Sequence, residues 1–454
     1  MFVNRKTEIE RLKLVLKSSK ACLVVIYGRR RCGKSTLIRR LMSRDSVYFS
    51  ADMRERPLQI KAFAERMEVM IPGFAAPVYP DWNSVFRALN AALARKITVC
   101  IDEFPYLVRN SSDLPSVLQN LHDDNAHGRY HLILCGSSQK MMNDMVLNRK
   151  APLYGRADEI MRIQPMSVSH LKSFLRITAI DAVEEYSVWG GIPRYWEIRK
   201  PFGSLAETIS WHVANPTGLL YDEPERLFSD EIRTSVQAYT MLSLIGSGCN
   251  RLSEIAARME KPATHLSGTL AFLTELKYIR REIPFGESVR STRRTLYKIE
   301  DPFLNFWFTF IVPARSRIEL GLTQQVVKSI INMLPSFTAA TWEELCRRAV
   351  PFLMAGQNFG PASRWWGTGI DGTQAEVDIV AESSDGRVLL IGEAKWAEST
   401  DVKGEMNKLT KKVSQLPFAG EHTVITALFL KKKPVIKNLN MLIFGPDEVV
   451  KALS

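Results

Sequence analysis

The sequence predicts an α/β chain organised around a parallel sheet, and three stretches carry that prediction. Cys22-Leu23-Val24-Val25-Ile26-Tyr27 is an unbroken β-prone run that empties into Gly28-Arg29-Arg30-Arg31-Cys32-Gly33-Lys34-Ser35, followed by Thr36. Ile97-Thr98-Val99-Cys100-Ile101 is a second run and ends in Asp102-Glu103, and His131-Leu132-Ile133-Leu134-Cys135 is a third and ends in Gly136-Ser137-Ser138. Apolar runs without alternation mark strands buried on both faces, and the amphipathic patterns between them supply the crossovers that parallel pairing requires.

The stretch after the first strand has the spacing of a phosphate-binding loop, GxxxxGK[ST], between a strand and a helix. Gly28 leaves the strand, and Gly33 permits torsions that turn successive amides inward onto phosphate oxygens. Lys34 supplies a full charge to the β- and γ-phosphates, Ser35 offers a hydroxyl to Mg²⁺, and the helix expected over 34–43 points its positive end at the same anion. Gly28, Arg29, Arg30, Arg31, Cys32, Gly33, Lys34, Ser35 and Thr36 are the expected nucleotide-binding set, with the three arginine side chains expected to be solvated. Asp102 is placed to hold Mg²⁺ through water, and Glu103 to polarise the water that attacks the γ-phosphate. Ser137 or Ser138 would either sense that phosphate or cap the next helix. Arg156, after Pro152-Leu153-Tyr154-Gly155, is a candidate for stabilising phosphate charge within one subunit or across a homo-oligomer, or else a solvated side chain.

Composition narrows the class. The chain has 454 residues, enough for about three domains, and 46% of them are hydrophobic. A formal charge of +13 favours a polyanionic partner, DNA foremost. The six cysteines form no CxxC pair and cluster with no histidines, so they read as reduced thiols in a cytoplasmic protein without structural zinc. No signal peptide opens the chain, and the apolar run Phe303–Val312 is too short to span a bilayer, so no membrane anchor is expected.

Taken in order, the remaining patterns predict helices over about 5–16, 57–69, 82–95 and 114–122, with short strands at Val47–Ser50 and Ile160–Ile163. Past residue 228 the order changes to helices at about 231–245, 252–259 and 263–278, then a hairpin of Ile279–Ile283 and Thr295–Ile299. Three helices followed by a β-wing is a winged helix. Arg280, Arg281, Arg290, Arg293 and Arg294 make the wing basic, as duplex backbone would require, but the third helix carries no arginine to read base edges; an arm that packs on the nucleotide-binding core is the other reading. Near the C-terminus, alternation sets Glu376 with Asp378 and Glu393 with Lys395 on common strand faces, where a hairpin would bring Asp378 and Glu393 around one cation beside Lys395. Lys403, Lys408, Lys411, Lys412 and Lys431-Lys432-Lys433 add a lysine-rich surface suited to phosphate backbone.

Two resemblances follow from these residues. Arg5-x-x-Glu8-Ile9-x-x-Leu12 after Phe2, the Tyr27–Ser35 loop, Ile101-Asp102-Glu103-Phe104, Cys135–Ser138, Pro152–Arg156 and Gly190-Gly191-Ile192-Pro193-Arg194-Tyr195 resemble the archaeal-type ATPases, a branch of the AAA-like and STAND P-loop switches. That resemblance implies ATP and Mg²⁺ as cofactors, a helical lid over about 168–201, and Pro193 close to the nucleotide. Arg364-Trp365-Trp366, Glu376-x-Asp378 and Glu393-x-Lys395-Trp396, with Glu343 or Glu344 from the preceding helix, resemble the PD-(D/E)xK, restriction-endonuclease-like fold of the nuclease-like domain that accompanies such ATPases. It implies Glu343, Asp378 and Glu393 as metal ligands and Lys395 as the group that orients or deprotonates the attacking water. The expected divisions are 1–165 ATPase core, 166–228 lid, 229–300 winged helix, 301–335 helical connector and 336–454 nuclease-like domain. The expected function is an ATPase whose nucleotide state controls the winged helix and a DNA-directed C-terminal domain. The alternative is a nucleotide-dependent signalling or scaffolding switch that does not cleave.

Overall fold

A computed structural model describes residues 4–124, 128–231, 235–288, 290, 292, 294–354, 356–434 and 441–454. Phe2 and Arg293 therefore lie outside the described residues. The chain divides into two compact units, 1–165 and 166–454.

The first unit is a five-stranded parallel sheet in the order β2-β3-β4-β1-β5. Its strands are β1 (Leu23–Tyr27), β2 (Ser46–Ser50), β3 (Ile97–Asp102), β4 (Tyr130–Gly136) and β5 (Glu159–Arg162). Every residue of β4 is buried, as a central parallel strand should be. Even His131 is accommodated there, because its Nδ1 accepts the Cys22 amide at 3.2 Å. The helices are α1 (Lys6–Val15), α2 (Lys34–Leu41), α3 (Arg56–Met67), α4 (Trp82–Ala92), α5 (Phe104–Asn110), α6 (Leu114–Asp123) and the one-turn α7 (Gln139–Met142). Asp81 caps α4 by accepting the Ser84 amide at 2.7 Å. Phe63, Trp82 and Phe86 pack ring against ring beside Phe49 and Tyr130, fastening α3 and α4 to the sheet. Helix α5 is an addition to the expected elements.

The second unit begins with α8 (Val168–Leu175), α9 (Ala179–Trp189), α10 (Pro193–Arg199), α11 (Leu205–Thr208) and α12 (Glu223–Glu231). Three helices follow, α13 (Ser235–Gly246), α14 (Leu252–Arg258) and α15 (Ala263–Glu275), and then the antiparallel pair β6 (Ile279–Glu282) and β7 (Leu296–Ile299). The helix expected at 231–245 is described from Ser235 to Gly246, residues 232–234 lying outside the described residues. The expected stripe Leu266, Leu270, Leu273 is the buried face of α15. After α16 (Pro302–Phe306) and α17 (Val312–Glu319), α18 runs unbroken from Thr323 to Leu353 with Pro335 and Pro351 inside it. The division expected at 335/336 thus falls within a helix, and that at 228/229 within α12.

A second sheet, ordered β12-β11-β10-β9-β8, closes the chain. It comprises β8 (Ser363–Thr368), β9 (Gln374–Glu382), β10 (Val388–Lys395), β11 (Thr423–Leu430) and β12 (Leu442–Phe444), with α19 (Val402–Gln415) and α20 (Pro446–Ala452). β8, β9 and β10 are antiparallel neighbours, whereas β11 and β12 join in parallel. Leu409 of α19 packs with Val380, Ile391 and Leu428, while Trp342 of α18 donates to the Phe429 carbonyl at 3.2 Å. The segment expected as a lid is tied into this unit: Glu184 of α9 pairs with Lys431 at 2.9 Å, and Ser187 bonds Thr338 of α18 at 3.1 Å.

Candidate functional sites

In a parallel sheet, side chains at the carboxyl ends of the strands share one edge. That edge in the first unit collects Gly28 after β1, Asp102 and Glu103 at the end of β3, and Ser137 after β4. Gly28 has φ +147°, and a Cβ there would lie 2.5 Å from the Ile163 carbonyl oxygen, so the loop leaves β1 only because the residue is glycine. Gly33 caps α2 in the left-handed region at φ +87°. Lys34 is buried and donates to the carbonyls of Gly28 at 2.9 Å and Arg29 at 3.0 Å, across the mouth of the loop. Ser35 and Thr36 occupy the first turn of α2, Ser35 half-buried and Thr36 exposed. The expectation of solvated arginines fails at Arg29, which is buried; Arg30 and Arg31 are half-buried.

Around the acidic pair the donors are neutral. Asp102 is buried, one carboxylate oxygen accepts the Tyr48 hydroxyl, and the other accepts the Glu103 amide at 3.0 Å. Burial first, and then the neighbouring Asp102 carboxylate, push the Tyr48 phenol up, which keeps it a donor. Glu103 takes φ +54° at the start of α5, and Ser137 Oγ donates to its carboxylate at 2.8 Å. Ser138 caps α7, accepting the Met141 amide. Arg156 forks onto Asp123, Nε and Nη2 each donating at 2.8 Å. Arg5 was quoted only as part of a helix pattern. It is buried and bonds both Cys32 O, at 3.2 Å, and Gln164 O, at 2.6 Å, tying the loop to the chain beyond β5. Tyr48 had no sequence signal, since the pairing of β2 with β3 is not written in the chain order.

The second acidic site is on β9 and β10. The register pairs Val380 with Ile391 and Ile379 with Gly392, so Asp378 stands opposite Glu393. Asp378 and Glu393 are 8% and 3% exposed, and Asp378 Oδ2 accepts the Ala394 amide at 3.0 Å. Each oxygen of Glu393 meets an ammonium group, Lys395 at 3.0 Å and Lys412 of α19 at 2.7 Å. Burial, and next the Asp378 charge, raise the Glu393 carboxyl; burial works against the Lys395 charge, but Glu393 raises its pKa overall.

The two helix carboxylates left open by the sequence differ in their surroundings. Burial and then the Asp378 charge raise the Glu343 carboxyl to about 7. Glu344 pairs with Arg280 at 3.3 Å and Arg348 at 2.7 Å; burial opposes its charge, but those arginines hold its carboxyl far below the usual range. Arg347, buried between them, donates to the Asp378 carbonyl at 2.8 Å. Glu376 turns to Arg364 and leaves the pair. Among the described residues no group of three His, Cys, Asp or Glu side chains converges as a metal site.

The basic surfaces expected for DNA are largely spent inside the molecule. Arg280 lies among Glu282, Glu300 and Glu344, Arg281 bonds Thr295, and Arg294 pairs with Glu287 and donates to the Trp366 carbonyl. Lys431 is buried against Glu184 and Glu398, Lys432 pairs with Glu398, and Lys433 with Glu448. Pro193 opens α10 in the second unit. Among the described residues no helix is long and apolar enough to cross a membrane.

Comparison with known proteins agrees with the first unit. Residues 2–197 match a family described as an ATPase domain predominantly from Archaea, and residues 307–408 match one described as Archaea bacterial proteins of unknown function. An uncharacterized protein of Methanocaldococcus jannaschii is 29% identical over 464 residues, covering 99% of this chain and all of its own length. An uncharacterized ATP-binding protein of the same organism is 45% identical over 47 residues, 10% of this chain and 80% of its own. The Walker-type ATPase of Pyrococcus abyssi superposes with a TM-score of 0.53 at 22% identity, covering 68% of this chain and 96% of its own. Residues 2–197 are therefore similar to an archaeal-type ATPase domain, and the fold is that of a P-loop ATPase.

Proposed function

We propose that the chain is a Mg²⁺-dependent ATPase in which Glu103 is the catalytic base and the nucleotide state controls a DNA-directed, nuclease-like C-terminal domain. The observation that carries the ATPase part is the convergence of Lys34, Asp102, Glu103 and Ser137 at one sheet edge. An oxygen donor set of Ser35 hydroxyl and Asp102 carboxylate suits a hard cation, which when bound would neutralise phosphate charge. Lys34 would exchange its two loop carbonyls for phosphate oxygens, Ser137 would meet the γ-phosphate, and Glu103 would take the proton of the attacking water. Arg156 would have to leave Asp123 to reach a phosphate, in its own subunit or a neighbouring one. Pro193 near the nucleotide rests on the resemblance alone.

The C-terminal part of the reading is supported by Asp378 opposite Glu393 with Lys395 bonded to it, on a mixed sheet that follows a three-helix and hairpin segment of winged-helix order. Glu343, Asp378 and Glu393 would hold a divalent cation once Lys395 and Lys412 released Glu393, and Lys395 would then orient water toward phosphorus. Purified protein incubated with plasmid and Mg²⁺, with and without ATP, tests it. Cleavage that is lost in Asp378→Ala and Lys395→Ala is expected; no cleavage by the wild type, or equal cleavage by both variants, overturns it. One observation favours a second reading, a non-cleaving nucleotide-dependent switch: both Glu393 oxygens are already paired with lysines.

A further inference from the structure

The positive charge of the chain is not evenly spread. Residues 1–165 hold 27 Lys and Arg against 16 Asp and Glu, an excess of 11, whereas residues 166–454 hold 34 against 32, an excess of 2. The charge that suits a polyanion therefore belongs to the first unit. Arg29, Arg30, Arg31 and Lys34 stand in the phosphate loop, and a second group of cations collects at the other edge of the sheet.

In a parallel sheet the residues that lead into the strands share one edge, opposite the edge where the strands end. Arg44 leads into β2, Arg95 and Lys96 into β3, Arg129 into β4, and Lys17 and Lys20 into β1. Polar contacts join these loops into one surface: Arg95 pairs with Asp45 at 2.5 Å, Arg129 donates to the Leu93 carbonyl at 2.7 Å, and Lys96 donates to the Ser19 carbonyl. The nearby carboxylates are already engaged. Asp45 holds Arg95, Asp124 holds Arg87 at 3.0 Å, Asp123 holds Arg156, and Asp158 accepts the Leu23 amide at 2.8 Å. A carbonyl positions Lys96 and Arg129 without cancelling their charge, and the exposed Lys17, Lys20 and Arg44 pair with no carboxylate among the described residues.

Neighbouring strands lie about 4.8 Å apart, so the cations leading into β2, β3, β4 and β1 span about 15 Å, over which one DNA strand presents about four phosphates. A lipid surface fits less well. Insertion there needs apolar side chains, and among the described residues the loops of this edge expose no large one.

We propose that this edge of the first unit docks the phosphate backbone of duplex DNA, with Lys17, Lys20, Arg44, Lys96 and Arg129 as its cations. Strand β4 is seven residues long, so the surface lies about 20 Å from the strand ends that gather Gly28, Asp102 and Ser137. DNA and nucleotide bind together there without competing. This placement shares DNA as a partner with the function proposed above but rests on neither its ATPase nor its nuclease part, and it moves the contact away from the basic hairpin and the lysines around α19.

The test is fluorescence anisotropy of the full chain with a short fluorescein-labelled DNA duplex over a series of salt concentrations, in chelator so that metal-dependent cleavage does not enter. Lys17→Gln, Lys20→Gln and Arg44→Gln, made together, are expected to weaken binding about a hundredfold at low salt and to lower the slope of log affinity against log salt by about 2 to 3. The melting temperature should stay that of the wild type, since all three side chains are exposed. Lys17→Arg, Lys20→Arg and Arg44→Lys, made together, should keep both affinity and slope. Removing the same charge elsewhere, as Lys403→Gln, Lys408→Gln and Lys411→Gln, should leave binding close to that of the wild type; so should Lys34→Ala, which separates the edge from the phosphate loop as an anion site. An edge variant that binds the duplex as tightly as the wild type overturns the proposal. A wild type that does not bind the duplex overturns it too, as does an edge variant that loses binding to phosphatidylserine vesicles and not to DNA. Duplex binding that follows the edge in a protein that neither hydrolyses ATP nor cleaves plasmid supports this surface while overturning the function proposed above.

Discussion

Both acidic sites place a carboxylate near the end of a buried strand, Asp102 on β3 and Glu393 on β10, and they differ in what holds it. Asp102 and Glu103 are held by a phenol, a serine hydroxyl and a backbone amide, all neutral donors. Glu393 is held by two ammonium groups. A neutral donor fixes a carboxylate while leaving its charge available, whereas a salt bridge cancels the charge that would attract a metal ion. Under the proposed function a cation could join the first site without breaking an ion pair, whereas at the second the Glu393 pairs with Lys395 and Lys412 would have to open.

Removing the loop lysine should give the largest effect. Lys34→Ala deletes the ammonium group bonded to the Gly28 and Arg29 carbonyls of the loop, and loss of fluorescent-ATP binding as well as of phosphate release is expected. Retained hydrolysis would break the assignment of that edge as the nucleotide site. Glu103→Gln should act more narrowly, lowering the rate of phosphate release by about 10²–10³-fold while ATP still binds. An unchanged steady-state rate would remove Glu103 from the mechanism. Ser137→Ala, which removes one hydrogen bond to a charged group, should lower kcat about tenfold with little change in KM. If kcat rose instead, the hydroxyl would be restraining Glu103 and the contrast between the two sites would narrow.

How much of this could be read from the chain depends on whether the information is local. Gly28, Gly33, Lys34, Asp102 and Ser137 announce themselves because a strand and its exit loop are contiguous, and parallel pairing alone sends the exits to one edge. Asp378 and Glu393 were legible for the same reason, through a hairpin register. Tyr48 was not, because β2 meets Asp102 only through a sheet order that skips along the sequence. The choice between Glu343 and Glu344 was not, because neighbouring helix positions differ by a rotation that only packing fixes, here through Arg347 buried toward the sheet. The division expected at 335/336 falls inside α18, which continues through Pro335 and is held on both sides by buried residues from Val326 to Val350. In the basic hairpin Arg280 and Arg294 also pair with glutamates of the same chain, which composition alone does not reveal.

The smallest expected effect is also the one that probes the second site without needing its substrate. Burial and the Asp378 charge raise the Glu343 carboxyl to about 7 in the folded chain, above the ordinary glutamate range. Between those two values the folded protein holds a proton that the unfolded chain has released, so folding stability falls as pH rises through that window and levels off above it. Glu343→Gln, neutral at every pH, removes that penalty. It should therefore leave the melting temperature nearly unchanged at pH 5 and raise it at pH 8, by an amount on the order of 1–3 kcal/mol in stability. Thermal melts of both proteins at the two pH values measure it. A variant equally stable or less stable at pH 8 would mean that Lys298, Arg347 and Arg364 already neutralise Glu343, and the second site would then be a closed salt-bridge network with no charge left over to recruit a metal.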